Sequence, residues 1–230
     1  SQMIRLRLGM IDDFDADVTP ALMANLSEVL TGCQFLLESG SSYGLAADLE
    51  ARLMDVVVVA DLDVTADWME VYPILTEPFV LAIPKGVIDP AHDTMEQLLT
   101  MPYIRYSSRQ MMGRQIESHL ARLRINLPNK FEFDSYHAIM CMVAGGAGWT
   151  ITTPLGYMRA QRFHGNVDIV PLPFKALSRS ISLIARRDVL DSIPRDIVSE
   201  IKPLVQNMLV DPCLKNFPWM QGKLFVQEAL

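Results

Sequence analysis

Apolar positions in the first 60 residues switch between two periods. Residues 4–9 alternate as a strand does, whereas over residues 18–30 Val18, Leu22, Leu26, Val29 and Leu30 fall on one helical face. Thr19 followed by Pro20 offers a capping hydroxyl and a proline suited to a first helical turn, and Gly32 offers a stop. Residues 33–38 read as a second strand, 42–53 as a second helix, and 56–60 as a β-branched strand buried on both faces. Strand, helix, strand, helix, strand implies a parallel sheet, and strands at 69–75 and 78–84 complete this region.

A second region repeats the grammar. It predicts a helix at 94–100, a strand at 103–106, and a helix at 112–123 with the stripe Met112, Ile116, Leu120 and Leu123. Phe131 and Phe133 mark a strand, residues 135–144 a helix stopped by Gly145 and Gly146, and 149–152 a strand before Pro154. Strands follow at 167–172 and 180–185. The last helical pattern, Ile197, Ile201, Leu204, Val205 and Met208, contains Pro203, which predicts a kink or a break. With no Pro- or Gly-rich linker, the chain is expected to cross directly near Pro84 and near Ala185. The predicted class is α/β, with two Rossmann-like lobes joined by two crossovers. Lobe I comprises residues 1–85 and 186–230, and lobe II residues 86–185. Open parallel sheets bind ligands beyond the carboxyl ends of their strands, so a cleft between the lobes is the expected site.

Composition narrows the function classes. Of 230 residues, 50% are hydrophobic and 20% charged, enough to build a core and exclude a disordered tail. No apolar run approaches the ~20 residues that span a bilayer, and residues 1–8 lack a secretory layout. Net charge is -7, so the average field repels phosphate, and the chain is not expected to bind DNA by itself. The three cysteines, Cys33, Cys141 and Cys213, form no CxxC and read as inert, reduced thiols of a cytoplasmic protein.

Candidate chemistry gathers at the predicted strand ends. Asp12, Asp13 and Phe14 follow the first strand. Adjacent carboxylates there suit an acid–base pair, a cation site, ligand contact or a solvated turn before a helix. Ser41 and Ser42 lie in a hydroxyl-rich turn that either caps a helix or offers its amides to an anion. Ser107, Ser108, Arg109 and Met112 enter another helix, a loop suited to carboxylate or phosphate or simply a surface turn. Thr152 and Thr153 end a strand, where they cap the next turn or reach the cleft.

Other motifs are set aside. Gly145, Gly146, Ala147 and Gly148 follow a helix and precede a strand, the reverse of the dinucleotide-binding order. His137 and Cys141 share a helical face without a second pair to complete a metal site. No metal, cofactor or catalytic residue is expected.

Four segments, residues 6–9, 51–57, 75–81 and 142–149 (Met142, Val143, Ala144, Gly145, Gly146, Ala147, Gly148, Trp149), resemble in order and spacing the effector-binding domain of LysR-type transcriptional regulators. The resemblance runs from about Leu6 to Val210, and residues 211–230 match no known pattern. It implies the periplasmic-binding-protein type II fold and a cytoplasmic bacterial domain that binds a small molecule, often a carboxylate. It also implies a homodimer or homotetramer, with DNA contacted only through an N-terminal winged helix-turn-helix absent from this chain, and RNA polymerase as a further partner. Membrane contact and enzymatic activity are not implied.

The family's effector-contacting serine or threonine on the first-strand loop falls on Asp13, a departure. A carboxylate there repels an anionic effector unless it is paired or faces an amine or hydroxyl of the ligand. The second-helix hydroxyl falls on Ser41 and the anion loop on residues 107–112, with Ser108 foremost. Two rival readings share the fold: a periplasmic solute-binding protein and a small dehydratase-like enzyme.

Overall fold

The computed structural model of the chain describes residues 3–61 and 65–228. In chain order, the first elements are β1 (Ile4–Ile11), α1 (Val18–Val29), β2 (Cys33–Gly40), α2 (Ser42–Glu50), β3 (Val56–Ala60), β4 (Met69–Pro78) and β5 (Val80–Pro84). Then come α3 (Thr94–Leu98), β6 (Tyr103–Tyr106), α4 (Met111–Arg122), β7 (Asn129–Phe133), α5 (Tyr136–Ala144), β8 (Thr150–Thr152), α6 (Pro154–Arg159) and β9 (Val167–Pro171). The chain ends with β10 (Ser178–Arg186), α7 (Ile193–Val205), α8 (Asp211–Asn216) and β11 (Phe225–Val226).

Two compact units result, residues 1–77 with 178–230, and residues 78–177. Pro84 and Ala185, the expected crossing points, lie inside β5 and β10. The changeover comes earlier because all of β10 from Ile181 to Ala185 pairs with β3, whereas β5 pairs with β8 and β9.

Unit 1 is a six-stranded sheet in the order β11-β4-β10-β3-β1-β2. The expected βαβαβ is present: β1 pairs in parallel with both β2 and β3. Alternation in β1 buries Leu6, Leu8 and Met10 completely, and every residue of β3 is buried. Because Ile4 pairs with Cys33 and Ile11 with Gly40, β1 and β2 end in step. Their terminal turns are therefore neighbours, joined by a Ser39 hydroxyl donating to Asp15 at 2.5 Å.

Boundaries differ where local chemistry wins. α1 starts at Val18 with Asp17 at its N-cap, so Thr19 is not the cap; it is buried inside the first turn with its hydroxyl unpartnered among the described residues. Pro20 is tolerated within the first turn, so it does not force the helix to start after Thr19. α2 ends at Glu50, short of Leu53, because Arg52 turns left-handed (φ 61°) and the amides of Leu53 and Met54 return to Asp48 O. Pro203 neither breaks nor ends α7; a π-helical turn over Gln206–Val210 follows it and leads into α8. The tail beyond α8 returns to the sheet as β11, antiparallel on the edge of β4.

Unit 2 carries β8-β5-β9, antiparallel throughout, and a parallel β6-β7 pair. Trp149 links them, accepting from Ile104 N at 2.8 Å and donating to Pro102 O at 3.0 Å. This approach explains Gly148: a Cβ there would lie 2.3 Å from Pro102 O, so the glycine-rich run is a close-packed turn. α6, opened by Pro154, was not among the predicted elements; the Thr153 hydroxyl caps it by accepting from Gly156 N at 3.2 Å.

Candidate functional site

In unit 1, the turn after β1 begins as a 3-10 helix over Asp12–Phe14. Phe14 is buried and anchors it; Asp12 is exposed and Asp13 half-buried. Asp13 accepts from Nη2 of Arg179 at 2.8 Å, while Nε of the same guanidinium donates to Glu77 at 2.7 Å. Arg179 is 5% exposed and Glu77 is fully buried. Burial alone lowers the arginine's affinity for its proton, but the Glu77 and Asp13 carboxylates outweigh it and push the pKa above the ordinary 12.5. Asp13 is thus a paired carboxylate, held toward an internal cation.

The adjacent turn uses its hydroxyls structurally. Ser41 caps α2 by accepting from Gly44 N at 3.1 Å, and Ser42 accepts from Ala60 N at 3.0 Å, tying α2 to the end of β3. Both remain at the carboxyl ends of the parallel strands, next to the Asp12–Phe14 turn.

In unit 2, the loop before α4 folds onto the helix it opens. Ser107 is buried and its hydroxyl accepts from Arg109 N at 3.2 Å; Arg114 Nε donates to Ser108 O at 2.7 Å. Gln110 reaches Asp134 O and its own amide donates to Ser107 O at 3.1 Å. The loop comes so near that a Cβ at Gly113 would lie 2.1 Å from Ser107 O. Ser108 and Arg109 are exposed and Met112 is half-buried at the first turn of α4, whose N-cap Gln110 provides no side-chain cap. First-turn amides and an exposed guanidinium together suit an anionic group.

Thr152 is fully buried and belongs to a hydroxyl cluster: its Oγ1 is 3.3 Å from Tyr106 OH and 3.5 Å from Tyr136 OH. The two tyrosine rings stack at 5.9 Å, and Arg159 lies 5.5 Å from the Tyr136 centroid. Sequence reasoning missed Tyr136, Arg159, Arg179 and Glu77 as site-shaping residues. For Arg179 and Glu77 the signal was weak: each shares its strand with other polar residues (Ser180, Ser182 and Arg186; Glu70 and Thr76), and only their opposite signs, which buried charges need, pointed to a pair.

Cys213 is buried and Cys33 half-buried, whereas Cys141 is exposed on α5. His137 packs on Phe163 with centroids 5.2 Å apart. Among the described residues, no group of His, Cys, Asp and Glu is arranged to hold a metal ion, and no helix is long and apolar enough to cross a membrane.

The profile of the LysR substrate-binding domain matches residues 3–198, and the chain belongs to that family of regulatory ligand-binding domains with the periplasmic-binding-protein type II fold. Its fold is similar to that of the reduced regulatory domain of OxyR2 from Vibrio vulnificus (TM-score 0.72, 21% identity, 89% of this chain and 97% of that one). It is also similar to a reduced form of OxyR from N. meningitidis (0.67, 19%, 87% and 95%). A third likeness is to the effector-binding domain of QuiR in complex with shikimate (0.68, 17%, 87% and 95%). No curated protein sequence matches.

Proposed function

We propose that this chain is the effector-sensing domain of a LysR-type transcriptional regulator. It binds a small molecule carrying a carboxylate together with an amine or hydroxyl. It acts by binding alone, with no covalent step, and so modulates DNA binding and transcription by the full-length protein. A ligand shifts such an equilibrium only through differential affinity for two conformations.

The observation that carries this reading is the pairing of Asp13 with Arg179 at 2.8 Å. The guanidinium fixes the Asp13 carboxylate in place but is shared with Glu77, so the group keeps a net negative charge and accepts from a ligand amine or hydroxyl. In this reading Asp12, Asp13, Ser41 and Ser42 form the contact set of unit 1, with Phe14 anchoring their turn. Ser107, Ser108, Arg109, Met112 and Thr152 form that of unit 2, where Ser108, Arg109 and the α4 amides take the carboxylate. The complex of QuiR with shikimate, a hydroxylated carboxylate, supports the ligand class. The full-length protein would be a cytoplasmic homodimer or homotetramer that meets DNA through a separate winged helix-turn-helix and engages RNA polymerase.

Thermal-shift screening of hydroxy and amino acids, with shikimate as the first probe, tests it. A ligand at 100 times its Kd should stabilise the fold by about 2.7 kcal/mol. Ser108→Ala should weaken every carboxylate, and Asp13→Ser should weaken an amine-bearing ligand more than its deaminated counterpart. A panel without any shift, or hits indifferent to both substitutions, overturns the reading.

A further inference from the structure

We propose that unit 1 carries a second ligand site, for a small zwitterion of the α-amino-acid class. It lies at the end of the sheet opposite the Asp13 and Ser41 turns, where β10 finishes and β3 begins. The loops there border an open groove of about 450 Å³ lined by Glu50, Arg52, Asp67, Trp68, Arg187 and Asp188. That volume is in the range of small-molecule sites.

The Arg187 guanidinium is held in place, with Glu70 within reach of its charge, yet the charges of the wall do not close on each other. Arg187 donates Nε to Asp67 O at 3.1 Å and Nη2 to Met69 O at 2.9 Å, which fixes the plane of its guanidinium with donors to spare. Asp188 is held left-handed (φ 60°) while its amide donates to Glu70 at 2.7 Å, and Arg52 is left-handed as well (φ 61°). Among the described residues, no ion pair joins Arg52 or Arg187 to Glu50, Asp67 or Asp188, although all line one groove. Arg186 also lines it; its neighbour Asp55 is shared with Arg7, so its positive charge is not cancelled.

The wall therefore holds three guanidinium groups and three carboxylates. A simple anion would meet the carboxylates and a simple cation the guanidiniums. A ligand with separated opposite charges satisfies both sets, its carboxylate on the fixed fork of Arg187 and its ammonium among the acids. Trp68 adds an indole for an apolar or planar side chain.

The test is a titration of the ¹⁵N-labelled chain, read at the Trp68 indole N–H and assigned with Trp68→Phe. The probes are L-phenylalanine and its single-charge counterparts, 3-phenylpropanoate and 2-phenylethylamine. The zwitterion should give a saturable shift, with each counterpart about tenfold weaker or more. Arg52→Asn, which tolerates the left-handed backbone, and Asp188→Asn should each weaken the zwitterion, whereas Ser108→Ala should leave the response intact. Three results overturn the proposal. These are no saturable shift up to about 10 mM, equal binding of 3-phenylpropanoate, or a response abolished by Ser108→Ala, which would move the ligand to the effector site. Because Arg52 and Asp188 are exposed, the variants fold independently of the result.

Discussion

Arg179 and Glu77, 102 residues apart in sequence, meet at 2.7 Å in the interior of unit 1, on the strands through which the chain leaves and re-enters that unit. Asp13 is the second carboxylate on the same guanidinium, so the loop expected to contact the effector is fastened to both strands by one side chain.

Removing that side chain leaves a fully buried carboxylate without its cation. Arg179→Met should destabilise the fold by about 3–5 kcal/mol, because breaking a buried pair from one side strands the other charge. Arg179→Met combined with Glu77→Gln should recover part of the loss. Urea denaturation of the single and double variants measures the coupling; additive losses would mean that the two groups act separately.

Asp55 governs a second, more exposed network. Burial pushes its carboxyl up, but hydrogen bonds from the side chain and backbone of Arg7, with the charges of Arg7 and Arg186, hold it below the ordinary 3.8. A carboxylate with a depressed folded-state pKa stabilises the fold above its unfolded value and loses that contribution as pH falls through the folded one. The stability difference between the wild type and Asp55→Asn should therefore be full at pH above about 5 and shrink below about 4. Urea midpoints across that range read it; a pH-independent difference would show that Asp55 acts through packing alone.

Strong local patterns were legible in the sequence. β3 is five apolar, mostly β-branched residues and could only be a buried strand, and β6 over Tyr103–Tyr106 emerged with the predicted bounds. The parallel order of β1, β2 and β3 followed from the intervening helices. Elements decided by distant partners were not legible. β11 is two residues long and exists because β4 offers an open edge. At the candidate site, the Asp12–Phe14 turn and the loop before α4 were found from their polar residues at strand ends. The pairing of Asp13 was not, since Arg179 lies 166 residues away and nothing local announces which strand faces the turn. The roles of Ser41 and Ser42 were open for a related reason: capping and ligand contact ask for the same hydroxyl in the same place.

The thiols should separate by reactivity. Burial, with the charge of Glu77 adding to it, pushes the Cys213 thiol up to about 12 from the ordinary 9.0, whereas Cys141 is exposed. In the native protein at pH 8, a thiol reagent such as DTNB should modify Cys141 quickly and Cys213 only after denaturation. As pH rises past the unfolded-state value the unfolded chain loses this proton and the native chain keeps it, so alkali should favour unfolding, less so in Cys213→Ala. Rapid native labelling of Cys213 would contradict the packing around α8.

The loop before α4 depends on one absent side chain. A Cβ at Gly113 would fall 2.1 Å from Ser107 O and 2.9 Å from Tyr106 O, and both are backbone atoms that cannot rotate aside. Gly113→Ala must therefore push residues 107–110 away from the first turn of α4, disturbing the Ser107–Arg109 and Arg114–Ser108 bonds. Overpacking of this kind costs about 1–3 kcal/mol. Gly165→Ala is the matched control, since a Cβ there meets nothing within 4 Å. Thermal melts should separate the two variants, with Gly113→Ala clearly lowered and Gly165→Ala near the wild type. Amide shifts should confine the disturbance to residues 106–114. A Gly113→Ala variant with an unchanged melt and unchanged Ser108 and Arg109 resonances would mean that the loop stands further from the helix than these distances allow, and the anion subsite assigned to it would lose its geometry.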